Sequence, residues 1–229
     1  MQNNVWVWDK GDALRSWLSA RSIQARNGGA AEVRPGDVML VAEADVHETQ
    51  SILKAVRSGA TAVILEPERV FHQETAGTAD AMAPASYSEL LEPLAGNWKP
   101  ELRKIDWWGA PSAWGYTRTP LALQHAYLAG LPQAKALEAQ PEYQRVAPAY
   151  TWVMGDIPSS TRISHAVLES SLAVDMPYSS DLFSVTIGLG AIILNTLRIT
   201  PSLHRDPAAD LILENIVCEI CKRGNDHAA

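Results

Sequence analysis

The chain has 229 residues, 19 Lys and Arg against 26 Asp and Glu, and a formal charge of −7, with 47% hydrophobic and 20% charged residues. Such values exclude a disordered chain, a coiled coil and a collagen-like repeat, and leave room for one large domain or two small ones. The acidic balance argues against nucleic acid or an anionic membrane as partner, and no apolar run is long enough to span a bilayer.

The opening residues, Met1-Gln2-Asn3-Asn4-Val5, lack the basic and apolar regions of a secretory signal, so a cytoplasmic location is expected if the chain is complete. Asn4 to Trp8 is rich in β-formers, and Asp12 to Ile23 follows as a helix with Leu14, Trp17, Leu18 and Ala20 near one face. Gly28-Gly29 breaks it. Asp37 to Ala42 reads as a buried strand after Pro35-Gly36. Asp45 is placed to N-cap a helix carrying Ile52, Leu53 and Val56, which Gly59 ends. Thr61 to Leu65 is the next buried strand, closed by Glu66-Pro67.

Strands apolar on both faces and joined by helices predict a doubly wound α/β fold with a mostly parallel sheet covered on both faces. Residues 70–160 are expected to be an irregular insertion, rich in Trp and Pro, within a single domain of residues 1–224. Ala76 to Ser88 reads as an exposed loop and Ser88 to Glu92 as a short helix. Trp98, Trp107, Trp108, Trp114 and Tyr116 cluster after it, and prolines at 111, 120, 132, 141, 148 and 158 argue against a long regular element. Asp181 to Ile187 and Ala191 to Thr196 then flank Gly188-Leu189-Gly190 as a hairpin with a three-residue turn. Asp206 and Pro207 open a final helix with Ala209, Ile212, Leu213, Ile216, Val217 and Ile220 on its apolar face. Gly224 is expected to stop it, leaving 225–229 as a disordered tail.

Each candidate for chemistry has a plainer counterpart. Cys218 and Cys221 have redox spacing, but they fall in the last turns of a helix, where the dipole opposes a thiolate. Zinc would need two further ligands, so two small buried apolar side chains are expected. The Gly188-Leu189-Gly190 run precedes a strand, not a helix, and so is no dinucleotide turn. Six histidines (47, 72, 125, 165, 204 and 227) fall in no ligand or catalytic pattern, with His47 in a first helical turn and His227 in the tail. No nucleophile elbow occurs, and no metal or cofactor is expected.

Glu43 and Glu66 both follow parallel strands, which places them at the sheet edge where doubly wound folds bind ligands. They admit acid–base work on a glycosidic bond, or plain helix capping and solvation. Trp107, Trp108 and Trp114 admit a sugar-stacking platform, a hydrophobic plug or an interdomain contact.

The C-terminal quarter carries a resemblance. The strand, Gly-x-Gly turn and strand ending in Asn195-Thr196-Leu197-Arg198-Ile199, with the Asp206-Pro207-Ala208-Ala209-Asp210 helix after it, resembles the close of certain bacterial proteins of glycoside hydrolase family 2. Val5 to Asp9, Gly59 to Leu65 and Leu128 to Pro132 are similar to earlier parts of the same accessory domain. The resemblance implies a class I glutamine amidotransferase-like (flavodoxin-like) domain appended to a catalytic barrel that this chain is too short to contain. The amidotransferase cysteine has no counterpart, since the matching strand ends in Glu66-Pro67. It therefore implies a non-catalytic domain whose partners are the catalytic domains of a glycoside hydrolase, a second copy of itself, or carbohydrate; the alternative is a stand-alone carbohydrate-active hydrolase working through Glu43 and Glu66.

Overall fold

A computed structural model describes residues 4–28, 32–71, 101–104, 116–136, 140–148, 150–154, 163–170 and 178–226. Its first sheet is built from β1 (Val5–Trp8), β2 (Ala25–Asn27), β3 (Val38–Val41) and β4 (Thr61–Ile64). The distant β11 (Leu182–Ile187) and β12 (Gly190–Asn195) complete it. The helices are α1 (Ala13–Ala20), α2 (Val46–Arg57), α3 (Pro67–Phe71) and α4 (Pro207–Asp226).

The strands lie in the order β2-β1-β3-β4-β12-β11. All neighbours are parallel except the hairpin β11–β12. The first five make the 2-1-3-4-5 order of flavodoxin-like sheets, with one antiparallel strand added at the edge. The expected pairing is present: Val38 lies opposite Thr61 and Leu40 opposite Val63.

Alternation along each strand explains the double burial. Val5, Val7, Val38, Leu40, Val63 and Ile193 point to one face, where they meet Leu14, Trp17 and Leu18 of α1 and the apolar stripe of α4. Trp6, Trp8, Met39, Val41, Ala62, Ile64, Ile192 and Leu194 point to the other, against Ile52, Leu53 and Val56 of α2. Period-two alternation is preserved, with both sets apolar because both faces are covered. Ala20, expected on the buried face of α1, is exposed, since at six residues from Leu14 it lies about 120° round the helix from it.

Elsewhere the structure departs from expectation. The hairpin turn has two residues, not three, because Ile187 pairs directly with Gly190. Gly188 takes φ 60° at the first central position, the place of glycine in a II′ turn. The helix α4 runs past Gly224 to Asp226; one glycine near a helix end costs only about 1 kcal/mol.

The largest departure is a second six-stranded sheet, entirely antiparallel, within and after the stretch expected to be irregular. It comprises β5 (Glu101–Lys104), β6 (Tyr116–Ala122), β7 (Lys135–Ala136), β8 (Tyr150–Met154), β9 (Ser164–Ser170) and β10 (Tyr178–Ser180), in the order β5-β8-β10-β9-β6-β7. Only Asp181 separates β10 from β11, so one sheet runs into the other. Leu102 and Trp152 bury into the α2-side core, with Trp152 edge-on to Phe183 at 6.0 Å. The loop and helix expected over 76–92, and the tail at 227–229, lie outside the described residues.

Candidate functional site

In this strand order the switch point lies between β1 and β3: α1 leaves β1 for one face, and α2 leaves β3 for the other. Open sheets bind ligands there, beyond the carboxyl ends of the strands. Here groups of the chain itself bridge the two strand ends. The Trp8 carbonyl accepts both the Ala42 and Glu43 N–H groups, at 2.9 and 3.2 Å. Lys10 Nζ lies 2.7 Å from Glu43 Oε1, an ion pair across the gap. The hydrogen bond and charge of Glu43 raise the Lys10 pKa above its usual value.

The pair extends along the edge. Arg69, in α3, reaches Glu66 Oε2 through Nε at 3.0 Å and Glu43 Oε2 through Nη1 at 3.8 Å. Glu43 and Glu66, singled out from the sequence, are therefore brought together, but through an arginine between them. Lys10 and Arg69 were missed by sequence reasoning. The Glu66–Arg69 spacing of three is a readable helical ion-pair signal; the approach of Lys10 to Glu43 depends on strand order and has no local trace.

The helix N termini at this edge are also occupied. Asp9 accepts from Gly11 N at 2.9 Å and Leu14 N at 3.1 Å, at the start of α1. Asp45 and Glu48 form a reciprocal capping box on α2, both bonds 2.8 Å. Asp206 accepts from Ala208 N at 2.9 Å, opening α4. A phosphate or carboxylate ligand would use these N–H groups, and each is already met by a carboxylate of the chain.

Beyond the switch point, Asn195 donates to the Leu65 and Leu197 carbonyls and ties the ends of β4 and β12 together. Asp181, fully buried, accepts from Thr151 Oγ1 at 2.8 Å and so links the second sheet to the first. At the opposite edge, burial alone would raise the Asp37 pKa. Hydrogen bonds from Arg34 N, Asn4 N, the Trp6 indole and the Asn4 amide outweigh it and hold that carboxyl below its usual range.

Cys218 is exposed, against expectation, because the Cys218 position of α4 turns outward. Cys221 is half-buried against the core, and burial, then Cys218, raises its pKa. Among the described residues no three His, Cys, Asp or Glu side chains converge as a metal site, and no helix is long and apolar enough to cross a membrane. Trp107, Trp108 and Trp114 lie outside the described residues.

Fold and edge together define a doubly wound α/β domain of flavodoxin-like strand order with an internally salt-bridged carboxyl edge. No family model and no curated protein matches the chain. Among solved structures it is similar to a cytoplasmic protein from Salmonella typhimurium LT2, at 12% identity and TM-score 0.47 over 95% of this chain and 99% of that one. It is similar also to an exo-β-1,4-mannosidase from Opitutaceae bacterium strain TAV5, at 9% identity and TM-score 0.40, over 100% of this chain and 36% of the enzyme. A β-galactosidase from Bacillus circulans sp. alkalophilus gives 12% identity and TM-score 0.43, over 98% and 31%. The chain thus spans about a third of each glycosidase and nearly all of the Salmonella protein. These are likenesses of shape that carry no activity across.

Proposed function

We propose that this chain is a non-catalytic accessory domain of a glycoside hydrolase, serving to pack against catalytic domains or other copies, with carbohydrate binding as a further role for the Trp107, Trp108 and Trp114 region. The reading starts from the resemblance of the Asn195–Ile199 and Asp206–Asp210 segments to family 2 accessory domains. The observation that carries it is the ionic strap Lys10–Glu43–Arg69–Glu66 across the carboxyl edge. A glycosidic acid–base pair needs its two carboxyl groups facing one another across a gap that admits the sugar. Here that gap holds Arg69.

Purified chain incubated with aryl-glycosides and with L-glutamine should give no turnover above background. Turnover that disappears in Glu43→Gln or Glu66→Gln would overturn the reading and favour a hydrolase working through the strand-end carboxylates. Tryptophan fluorescence during titration with oligosaccharides tests the binding role separately, with a saturable change expected.

A further inference from the structure

Turn tips are the usual place for Gly, Asn, Asp or Ser. The β11–β12 turn instead carries Leu189, 84% exposed. Only one other large hydrophobic is exposed among the described residues, Leu121 at 37%. The turn is firmly seated. Leu189 N donates to the Arg57 carbonyl and Ala191 N to the Ala60 carbonyl, at 3.2 and 3.3 Å. Gly190 packs against the Ala60 and Val56 carbonyls too closely for any side chain. Leu189 is thus held outward on fixed backbone, with little ordering left to do on contact, as in an interface anchor.

Its surroundings carry an excess of cations. Exposed Pro35 and Leu189 flank Gly59, and Arg34, Lys54 and Arg57 are exposed around them. None of these three cations has an ion-pair partner among the described residues. Against them stand exposed Glu32 and the buried carboxylate of Asp37, so the three cations outnumber the two acids. The opposite, carboxyl edge carries Asp12, Glu43, Asp45, Glu48 and Glu66; Arg15, Lys10 and Arg69 pair with Asp12, Glu43 and Glu66, which leaves Asp45 and Glu48 as its acids without a cation among the described residues. The molecule is therefore polar along the strand direction, basic and apolar at the amino edge, acidic at the carboxyl edge.

We propose that the amino edge, anchored by Leu189 and framed by Arg34, Lys54 and Arg57, docks on the acidic carboxyl edge of a second copy of this chain. Such a contact is heterologous and head-to-tail, and it closes as a ring or extends as a filament. It rests on the packing role proposed above, but its test is separate: sedimentation can fail while the chain stays inactive, and turnover can appear while the chain still associates.

Sedimentation velocity of the intact chain over a wide concentration range should show self-association that weakens with added salt. Leu189→Asp, at an exposed position, should weaken it by at least about tenfold while leaving the circular dichroism spectrum unchanged. Asp12→Lys, whose side chain is 92% exposed at the other edge, should do likewise. An equimolar mixture of these two variants should form heterodimers, since each keeps one working edge. A chain monomeric at every concentration, or association indifferent to Leu189→Asp, overturns the proposal. So does a monomeric chain that binds phosphatidylserine vesicles through Leu189, which assigns the patch to lipid instead.

Discussion

Asp37 shows how one residue can govern the amino edge of the sheet. It is 3% exposed, and its carboxylate takes four hydrogen bonds between 2.9 and 3.1 Å, from Asn4 N, Asn4 Nδ2, Trp6 Nε1 and Arg34 N. It thereby joins β1 to the turn before β3. An amide at this position offers one acceptor in place of two and turns its own N–H groups toward donors. Asp37→Asn should therefore cost about 2–4 kcal/mol, read as a lower urea midpoint. The pH dependence has a definite sign. With the folded pKa below the unfolded value of 3.8, the stabilisation is complete above about pH 4 and is lost as pH falls through the folded pKa. The variant should show a shallower loss of stability in acid than the parent; equal acid slopes would remove Asp37 from that role.

Among the elements, the hairpin and α2 depend on each other through glycine. A Cβ at Gly190 would strike the carbonyl oxygens of Ala60 and Val56, which belong to backbone and cannot swing aside. At Gly130 it would meet Leu211 Cδ2 at 3.0 Å, the far end of a flexible side chain, so the cost there is mainly its φ of 81°. Gly190→Ala should lose about 2–3 kcal/mol and Gly130→Ala about 1, compared as melting temperatures; a reversed order would show that β12 can shift away from α2. This coupling was hidden in the sequence, where Gly190 reads only as part of a turn. What was legible were the strands buried on both faces: β1 and β3 are unbroken apolar runs and β4 and β12 nearly so, while β11 showed itself by its turn, with Ser184 and Thr186 alternating with apolar residues; Asp45 and Asp206 mark real helix starts. The edge strand β2, Ala25 to Asn27, is exposed throughout and leaves no apolar signal. In β6 the misleading residue was Pro120, which reads as a break. It is tolerated where β7 pairs only with Leu121 and Ala122, so that among the described residues no strand pairs with β6 on that side at Pro120. At the site, the meeting of Glu43 and Glu66 was legible from strand direction, whereas Lys10 joins them only through the β1–β3 pairing.

At the scale of the whole molecule, the two sheets share a core. Trp152 of β8 is fully buried in the same cluster as Trp6, Met39 and Phe183, while its neighbour Thr151 holds Asp181 at the junction of β10 and β11. The second sheet covers part of the α2-side face near the hairpin, and it gains a dry interior there that an isolated antiparallel sheet would lack. If that shared burial makes the molecule one cooperative unit, removing the indole should both destabilise and uncouple it. Trp152→Ala should cost about 3–5 kcal/mol, the range for emptying a large aromatic site. Urea unfolding followed by far-ultraviolet circular dichroism and by hydrogen exchange should then separate, with β5–β10 amides exchanging before those of β3 and β4. A single coincident transition in the variant, displaced by less than about 1 kcal/mol, would mean that the indole contributes little and that Asp181 and chain continuity alone bind the sheets together.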